Sequence, residues 1–271
     1  MTAQRLPTYF ISHGGGPWPY MPALRRTLHK LEESLVDIPR QIGGKPRAVL
    51  VVTGHWEAAE FSVSSGEQPG MIYDYSGFPP HTYHVTYPAP GSPDLARRVI
   101  QLAAQNGITV KPDAQRGFDH GTFTPLAVMF PDADVPLVQL SLKHGYSPEE
   151  HWALGEALAP LRDEGVLILG SGLSYHNLRQ FGPSAAGASG AFDGWLQQTL
   201  VDGPVARREG RLMQWEQAPA ARQAHPQEDH LVPLMAALGA AQDEPATLVY
   251  HEDALFGGVT ASSFRFGAGL S

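Results

Sequence analysis

The 271-residue chain contains no cysteine. That absence removes disulfides, thiol nucleophiles, iron–sulfur clusters and cysteine-held zinc. Charge is scarce, at 17%, and it leans acidic: 19 lysines and arginines face 27 aspartates and glutamates, a formal −8. A nucleic-acid partner needs clustered positive charge to meet its phosphates, so that class is disfavoured. No apolar run approaches the ~20 residues of a membrane-crossing helix. The first ten residues, MTAQRLPTYF, lack the basic stretch and long apolar segment of a secretory leader. The expectation is a cytoplasmic protein that engages neither membrane nor nucleic acid.

What is present departs from an average globular chain in two ways. Apolar residues make up 42%, enough for a sizeable core, yet 29 glycines and 24 prolines interrupt them. Gly and Pro together are about a fifth of the chain, against ~12% in average usage. Interspersed with strongly apolar segments, they imply shaped loops between buried strands. The second departure is 12 histidines, several beside glycine. With cysteine absent, histidine and carboxylate are the strong metal ligands that remain.

Periodicity predicts alternating strands and helices. Leu6–Ser12 reads as a strand, followed by a glycine turn from His13 to Trp18. Leu24, Leu28, Leu31 and Leu35 share one face of an amphipathic helix. Ala48–Val52 is an unbroken apolar run, the pattern of a strand buried on both faces. Residues 66–91 carry little periodicity but hold Tyr73, Tyr75, Phe78, Tyr83 and Tyr87, which predicts a long ordered loop. Ser92-Pro93 opens a helix with a capping hydroxyl and a proline at the first turn. Ile108–Val110 is a short strand, and the turn 117–121 leads to a helix starting near Thr124. Leu137–Leu142 is a strand, a capped helix runs from Ser147 to about Arg162, and Val166–Leu169 is a second fully apolar strand. Helical pieces near 190–201, 204–216 and 229–240 precede strands near 246–251 and 259–266. The order predicts one α/β domain over 1–271, with helices flanking a mostly parallel or mixed sheet. Ligands of such sheets sit at the carboxyl ends of the strands.

Three of those strand ends deliver a histidine: His13, His55 and His176, each in a glycine-containing turn that allows close backbone approach. His120, in Phe-Asp-His-Gly, and His230, in Glu-Asp-His-Leu, are weaker signals. His29, His144 and His151 read as structural or solvated. Neutral imidazoles suit borderline ions such as Fe(II) and Zn(II), and two spare histidines in one cleft would serve as proton carriers. Sequence alone does not divide these five histidines into ligands and acid/base groups.

The motifs carrying these residues resemble the class III extradiol ring-cleaving dioxygenases, in the branch typified by DOPA 4,5-dioxygenase. The matching segments, in order, are Ile11-Ser-His-Gly-Gly-Gly-Pro17, Val51-Val-Thr-Gly-His-Trp56, Tyr73-Asp-Tyr-Ser-Gly-Phe-Pro79, Tyr87-Pro-Ala-Pro-Gly91, Gly117-Phe-Asp-His-Gly121, Pro131-Asp-Ala-Asp134 with Val138-Gln-Leu-Ser141, Gly170-Ser-Gly172 with His176-Asn-Leu178, and His230-Leu-Val-Pro-Leu234. They span roughly residues 9 to 240. The resemblance implies a mononuclear non-haem Fe(II) centre, sometimes recovered with zinc, acting on a catechol and O2. It implies His13, His55 and His230 as ligands, with Glu228 and Asp229 as alternatives at the last position. His176 would be either a base or an additional ligand, and His120 a pocket histidine that carries a proton. Asp119, its neighbour in the chain, is a candidate to orient the His120 ring. Tyr83 and Trp18 are candidates to shape an aromatic pocket. Competing readings are a zinc hydrolase and a non-catalytic metal-binding protein built on the same cluster. The oligomeric state is left undetermined.

Overall fold

The computed structural model describes residues 5–269. Its strands are β1 (Thr8–Ser12), β2 (Ala48–Ala58), β3 (Phe61–Ser64), β4 (Val110–Asp113), β5 (Leu137–Lys143), β6 (Val166–Gly172), β7 (Ala246–Leu255) and β8 (Val259–Phe266). They form one eight-stranded sheet in the order β4-β3-β5-β2-β6-β1-β8-β7. The central ladders β5–β2, β2–β6 and β6–β1 are parallel, whereas β1–β8, β8–β7 and β3–β5 are antiparallel. The sheet is therefore mixed, with its parallel part where the sequence is most continuously apolar.

The α-helices are α1 (Pro22–Thr27), α2 (His29–Gln41), α3 (Pro93–Gln105), α4 (His120–Met129), α5 (Pro148–Leu158), α6 (Ala186–Gln197), α7 (Arg208–Met213), α8 (Ala221–Ala224) and α9 (Pro233–Ala241). Alternation along β2 and β6 explains why both sheet faces are covered. Val49, Val51, Leu167 and Leu169 pack with Leu31 and Leu35 of α2 and with Phe123 and Leu126 of α4. Leu50, Val52 and Ile168 point the other way, onto Leu95 and Val99 of α3, Leu154 and Leu158 of α5, and Ala236 and Ala240 of α9. Each fully buried aliphatic side chain contributes ~1.5–3 kcal/mol relative to exposure, so this two-sided burial fixes the register of the central strands.

The predicted capping residues act as expected. The Ser92 hydroxyl accepts from the Leu95 N–H at 3.2 Å and the Ser147 hydroxyl from the Glu150 N–H at 3.1 Å. Several boundaries differ from the sequence expectation. The single helix expected over Leu24–Leu35 is two, joined at Leu28, with Leu28, Leu31 and Leu35 still buried on one face. Strand β2 runs on to Ala58 because its ladder with β5 resumes beyond a register shift between Val52 and Glu57. Strand β3, four residues long, was too short for the pattern to reveal. Helix α4 begins at His120 rather than Thr124, and α9 begins at Pro233, so His230 lies in the turn before that helix. Among the described residues no helix is long and apolar enough to cross a membrane.

Candidate metal centre

Three imidazoles from distant parts of the chain meet at the carboxyl edge of the parallel strands. His13 directly follows β1, His55 lies in the extension of β2, and His230 sits just ahead of α9. The Nε2 of His55 is 3.1 Å from Nε2 of His13 and 3.1 Å from Nε2 of His230. One ligand atom from each of the three lies within 4.8 Å of the others. His13 and His230 are almost completely buried, and His55 is partly buried, its side chain 17% exposed.

The opposite nitrogen of each ring faces an acceptor. Nδ1 of His230 is 2.8 Å from Asp229 Oδ2, and Nδ1 of His55 is 3.3 Å from Asp74 Oδ2. Nδ1 of His13 is 3.3 Å from the Ser171 hydroxyl, whose own proton is committed to the Gly121 carbonyl. That hydroxyl must accept, so His13 carries its proton on Nδ1. All three rings then present bare Nε2 lone pairs to one another, an arrangement that is repulsive without a cation between them. Burial, reinforced by the neighbouring imidazoles, holds His13 and His55 well below the ordinary histidine range. Burial also lowers His230 to about 4 despite its bond to Asp229. Neutral rings with bare Nε2 atoms are the form that ligates metal. A 3.1 Å separation also suits neighbouring ligands that each bond one ion at ~2.0–2.1 Å. The donor set fits Fe(II) or Zn(II).

Two more histidines flank this group. His120, the first residue of α4, places its ring centroid 4.0 Å from that of His55. His176, four residues past β6, stacks on His230 with centroids 3.4 Å apart and an interplanar angle of 20°. Its Nδ1 is 3.8 Å from Asp229 Oδ1, and its ligand atoms group with those of Asp229 and His230 rather than with His13 and His55. All five histidines singled out in the sequence are thus brought together. His29 is exposed, whereas His151 is buried and accepts the Lys143 N–H, a packing role.

The acidic residues are placed less as the sequence suggested. Asp119 does not orient His120. Its carboxylate instead takes the Thr53 hydroxyl at 2.9 Å and Arg116 Nη2 at 2.7 Å, because the first turn of α4 directs it back toward β2. The same Arg116 nitrogen donates to the His55 carbonyl at 3.2 Å. The ring of His120 is held by Asp74, whose Oδ1 accepts from Nδ1 at 2.8 Å and from the backbone N–H at 3.0 Å. Burial pushes the Asp74 carboxyl up, but the His120 hydrogen bonds and charge outweigh it and leave it lowered. Asp229 follows the same logic, lowered by His176 and His230 against burial. Asp119, fully buried, is raised by that burial and by the charge of Asp74.

Asp74 is the residue that sequence reasoning missed. Its signal was a lone carboxylate inside an aromatic run of the 66–91 segment, where a solvated loop would have left it unpaired. Tyr73 and Tyr75 anchor that segment by donating to the Val85 and Thr82 carbonyls at 2.7 and 2.5 Å. Glu228, the other alternative ligand, pairs with Arg222 at 2.7 Å. Tyr83 packs against Tyr73 and Tyr75, and the Tyr75 ring centroid lies 5.8 Å from that of His120, so an aromatic wall does reach the cluster. Trp18 is not part of that wall. Its fully buried indole donates to the His13 carbonyl at 2.8 Å and supports the turn from beneath.

Glycine is required where backbone and ring crowd together. A Cβ on Gly121 would lie 2.7 Å from His55 Cδ2 and 2.8 Å from the Thr53 hydroxyl. A Cβ on Gly54 would lie 2.9 Å from the Asp229 carbonyl. The glycines beside these histidines therefore allow segments from opposite ends of the chain to close on one point.

Comparison with known proteins accords with this geometry. Residues 8–267 match the family described as the catalytic LigB subunit of aromatic ring-opening dioxygenase. A protein of Beta vulgaris named 4,5-DOPA dioxygenase extradiol is 37% identical over 268 residues, covering 96% of both chains. One of the same name from Escherichia coli (strain K12) is 34% identical over 258 residues, covering 92% of this chain and 90% of its own. The crystal structure of an uncharacterized protein from Escherichia coli K12 matches with a TM-score of 0.75 at 31% identity, across 97% of this chain and 100% of that one. With the family match running over nearly all of the described chain and the histidine cluster at its centre, the protein belongs to the LigB family of class III extradiol ring-opening dioxygenases, which are oxidoreductases.

Proposed function

We propose that the chain, as one catalytic domain over 1–271, is a non-haem Fe(II) enzyme that opens the ring of a substituted catechol with O2. The observation that carries this reading is the set of three Nε2 atoms, with Nδ1 of each ring facing an acceptor and two further histidines at the margin. In this reading His13, His55 and His230 hold the ion. Bound Fe(II) would supply a common site for the two reactants and the redox exchange between them. Zn(II) fits the same donors but has no accessible redox chemistry.

The residues of the chain supply the rest. A catechol must lose hydroxyl protons as it binds, and in this reading His120 and His176 take them and later return one as the ring opens. Tyr75, packed against Tyr73 and Tyr83, offers an aromatic surface beside His120 for a planar ring. The names of the relatives favour a DOPA-like catechol as the substrate class. Ring opening by O2 balances without an external reductant, because the catechol supplies the electrons.

The test is an oxygen-electrode screen of anaerobically Fe(II)-loaded protein against a catechol panel that includes DOPA. One O2 should be consumed per ring opened, without NADH, with a yellow product, and zinc-loaded protein should be inert. Equal activity with zinc, or turnover without oxygen, would overturn the proposal. Alanine at His13, His55 or His230 should each sharply reduce bound metal while the fold persists, and metal loss in His176→Ala would add a fourth ligand.

A further inference from the structure

We infer that Asp74 is a positioning residue that sets two imidazoles at once, one oxygen for each: His55 as a metal ligand and His120 as a base. The inference rests on the function proposed above and assigns a role to a residue outside the histidine set. Its Oδ1 accepts both Nδ1–H and backbone N–H of His120, at 2.8 and 3.0 Å. Its Oδ2 stands 3.3 Å from Nδ1 of His55. The two rings lie side by side, with centroids 4.0 Å apart.

A carboxylate is acceptor-only. Facing two ring nitrogens, it keeps a proton on Nδ1 of both. For His55 that leaves Nε2 bare toward His13 and His230, as ligation requires. For His120 it leaves Nε2 bare as well, so the ring begins the reaction as an acceptor. The proton of a catechol hydroxyl passes to His120 Nε2, the phenolic oxygen keeps the electron pair, and the resulting imidazolium remains hydrogen-bonded to Asp74 through Nδ1. The carboxylate then offsets the new charge. Asp74 comes from the long loop rather than from the sheet, so the aromatic packing of that loop is what brings both settings into register.

Asp74→Asn separates the two effects. The amide oxygen is better placed at His120, where two donors converge, which turns the amide N–H toward His55 Nδ1. His55 must then shift its proton to Nε2, the ligating atom. Loss of such an outer partner commonly weakens metal binding by ~10–100-fold. The measurement pairs anaerobic Co(II) affinity, read from its visible spectrum, with turnover per bound ion in Fe(II)-loaded protein. Both are made in the native background and in His120→Phe. Affinity should fall in the native background within that ~10–100-fold range, and it should also fall in His120→Phe, where the backbone N–H of residue 120 still holds the amide oxygen. Turnover per bound ion should fall only where His120 is present. Affinity unchanged by Asp74→Asn, or a turnover loss undiminished in His120→Phe, would overturn the inference. If the Asn variant does not fold, Asp74→Glu, which keeps the charge but displaces both oxygens, gives the same two readouts. Wild-type protein that takes up no oxygen would defeat the proposed function alone, since the Co(II) arm still decides whether Asp74 sets His55.

Discussion

Gly121→Ala sets two physical effects against each other. Residue 121 is the second residue of α4, and alanine in a helix is favoured over glycine by up to ~1 kcal/mol. Propensity alone predicts a more stable protein. The structure predicts the reverse, because the new Cβ would lie 2.7 Å from His55 Cδ2 and 2.8 Å from the Thr53 hydroxyl. Ordinary contact begins at 3.4 Å, so the ring edge must retreat by about 0.7 Å, the difference of the two figures. Neither neighbour is free to give. The Thr53 hydroxyl is bonded to Asp119, and Nδ1 of His55 faces Asp74. Overpacking of this kind costs ~1–3 kcal/mol, which outweighs the propensity gain. The displaced atom adjoins Nε2, and misplacement by ~1 Å can cost about 10²-fold in rate. Thermal unfolding of the metal-free protein should show a lower midpoint, and calorimetric titration should show weaker metal binding. A variant as stable as wild type, with unchanged metal affinity, would refute the close approach on which the site is built.

Other perturbations test neighbouring parts of the molecule. His120→Phe should keep near-normal metal content while turnover drops by ~10²–10⁴, the usual range for a lost acid/base group; unchanged kcat in stopped-flow assays would make His120 a packing residue. Arg116→Met leaves the buried Asp119 carboxylate without its cation and should cost ~3–5 kcal/mol in chemical denaturation. Replacing Asp119 by Leu in the same protein should recover part of that loss, and a single-variant effect below ~1 kcal/mol, the ceiling of an exposed pair, would contradict the buried pairing. Burial lowers His151 to about 4 from an ordinary 6.5, so the unfolded chain alone takes up its proton between those values. Its contribution is therefore intact above pH ~6.5 and lost as pH falls to about 4, by ~3 kcal/mol at most. Metal-free His151→Gln should lose stability less steeply across that window than wild type; identical slopes would remove His151 from the account.

Much of this protein could be read before its structure. The apolar runs at Ala48–Val52 and Val166–Leu169 mark two central strands, since only strands covered on both faces tolerate such continuity. The caps at Ser92 and Ser147 mark helix starts because local hydrogen bonds determine them. The histidine–glycine turns mark the site, and all five chosen histidines converge. These features depend on chemistry within a few residues of the chain. What tertiary structure decided depends on contacts across it. Which acid holds which histidine was not legible: Asp119 adjoins His120 in sequence but turns toward Arg116, while Asp74, 46 residues away, takes the ring. The division of the cluster was hidden for the same reason. His13, His55 and His230 share a centre, and His176 stacks on one of them, only because β1, β2 and the turn before α9 meet at one edge of the sheet. A sequence states which donors are available, and the fold determines the distances between them, on which hydrogen bonding and ligation both depend.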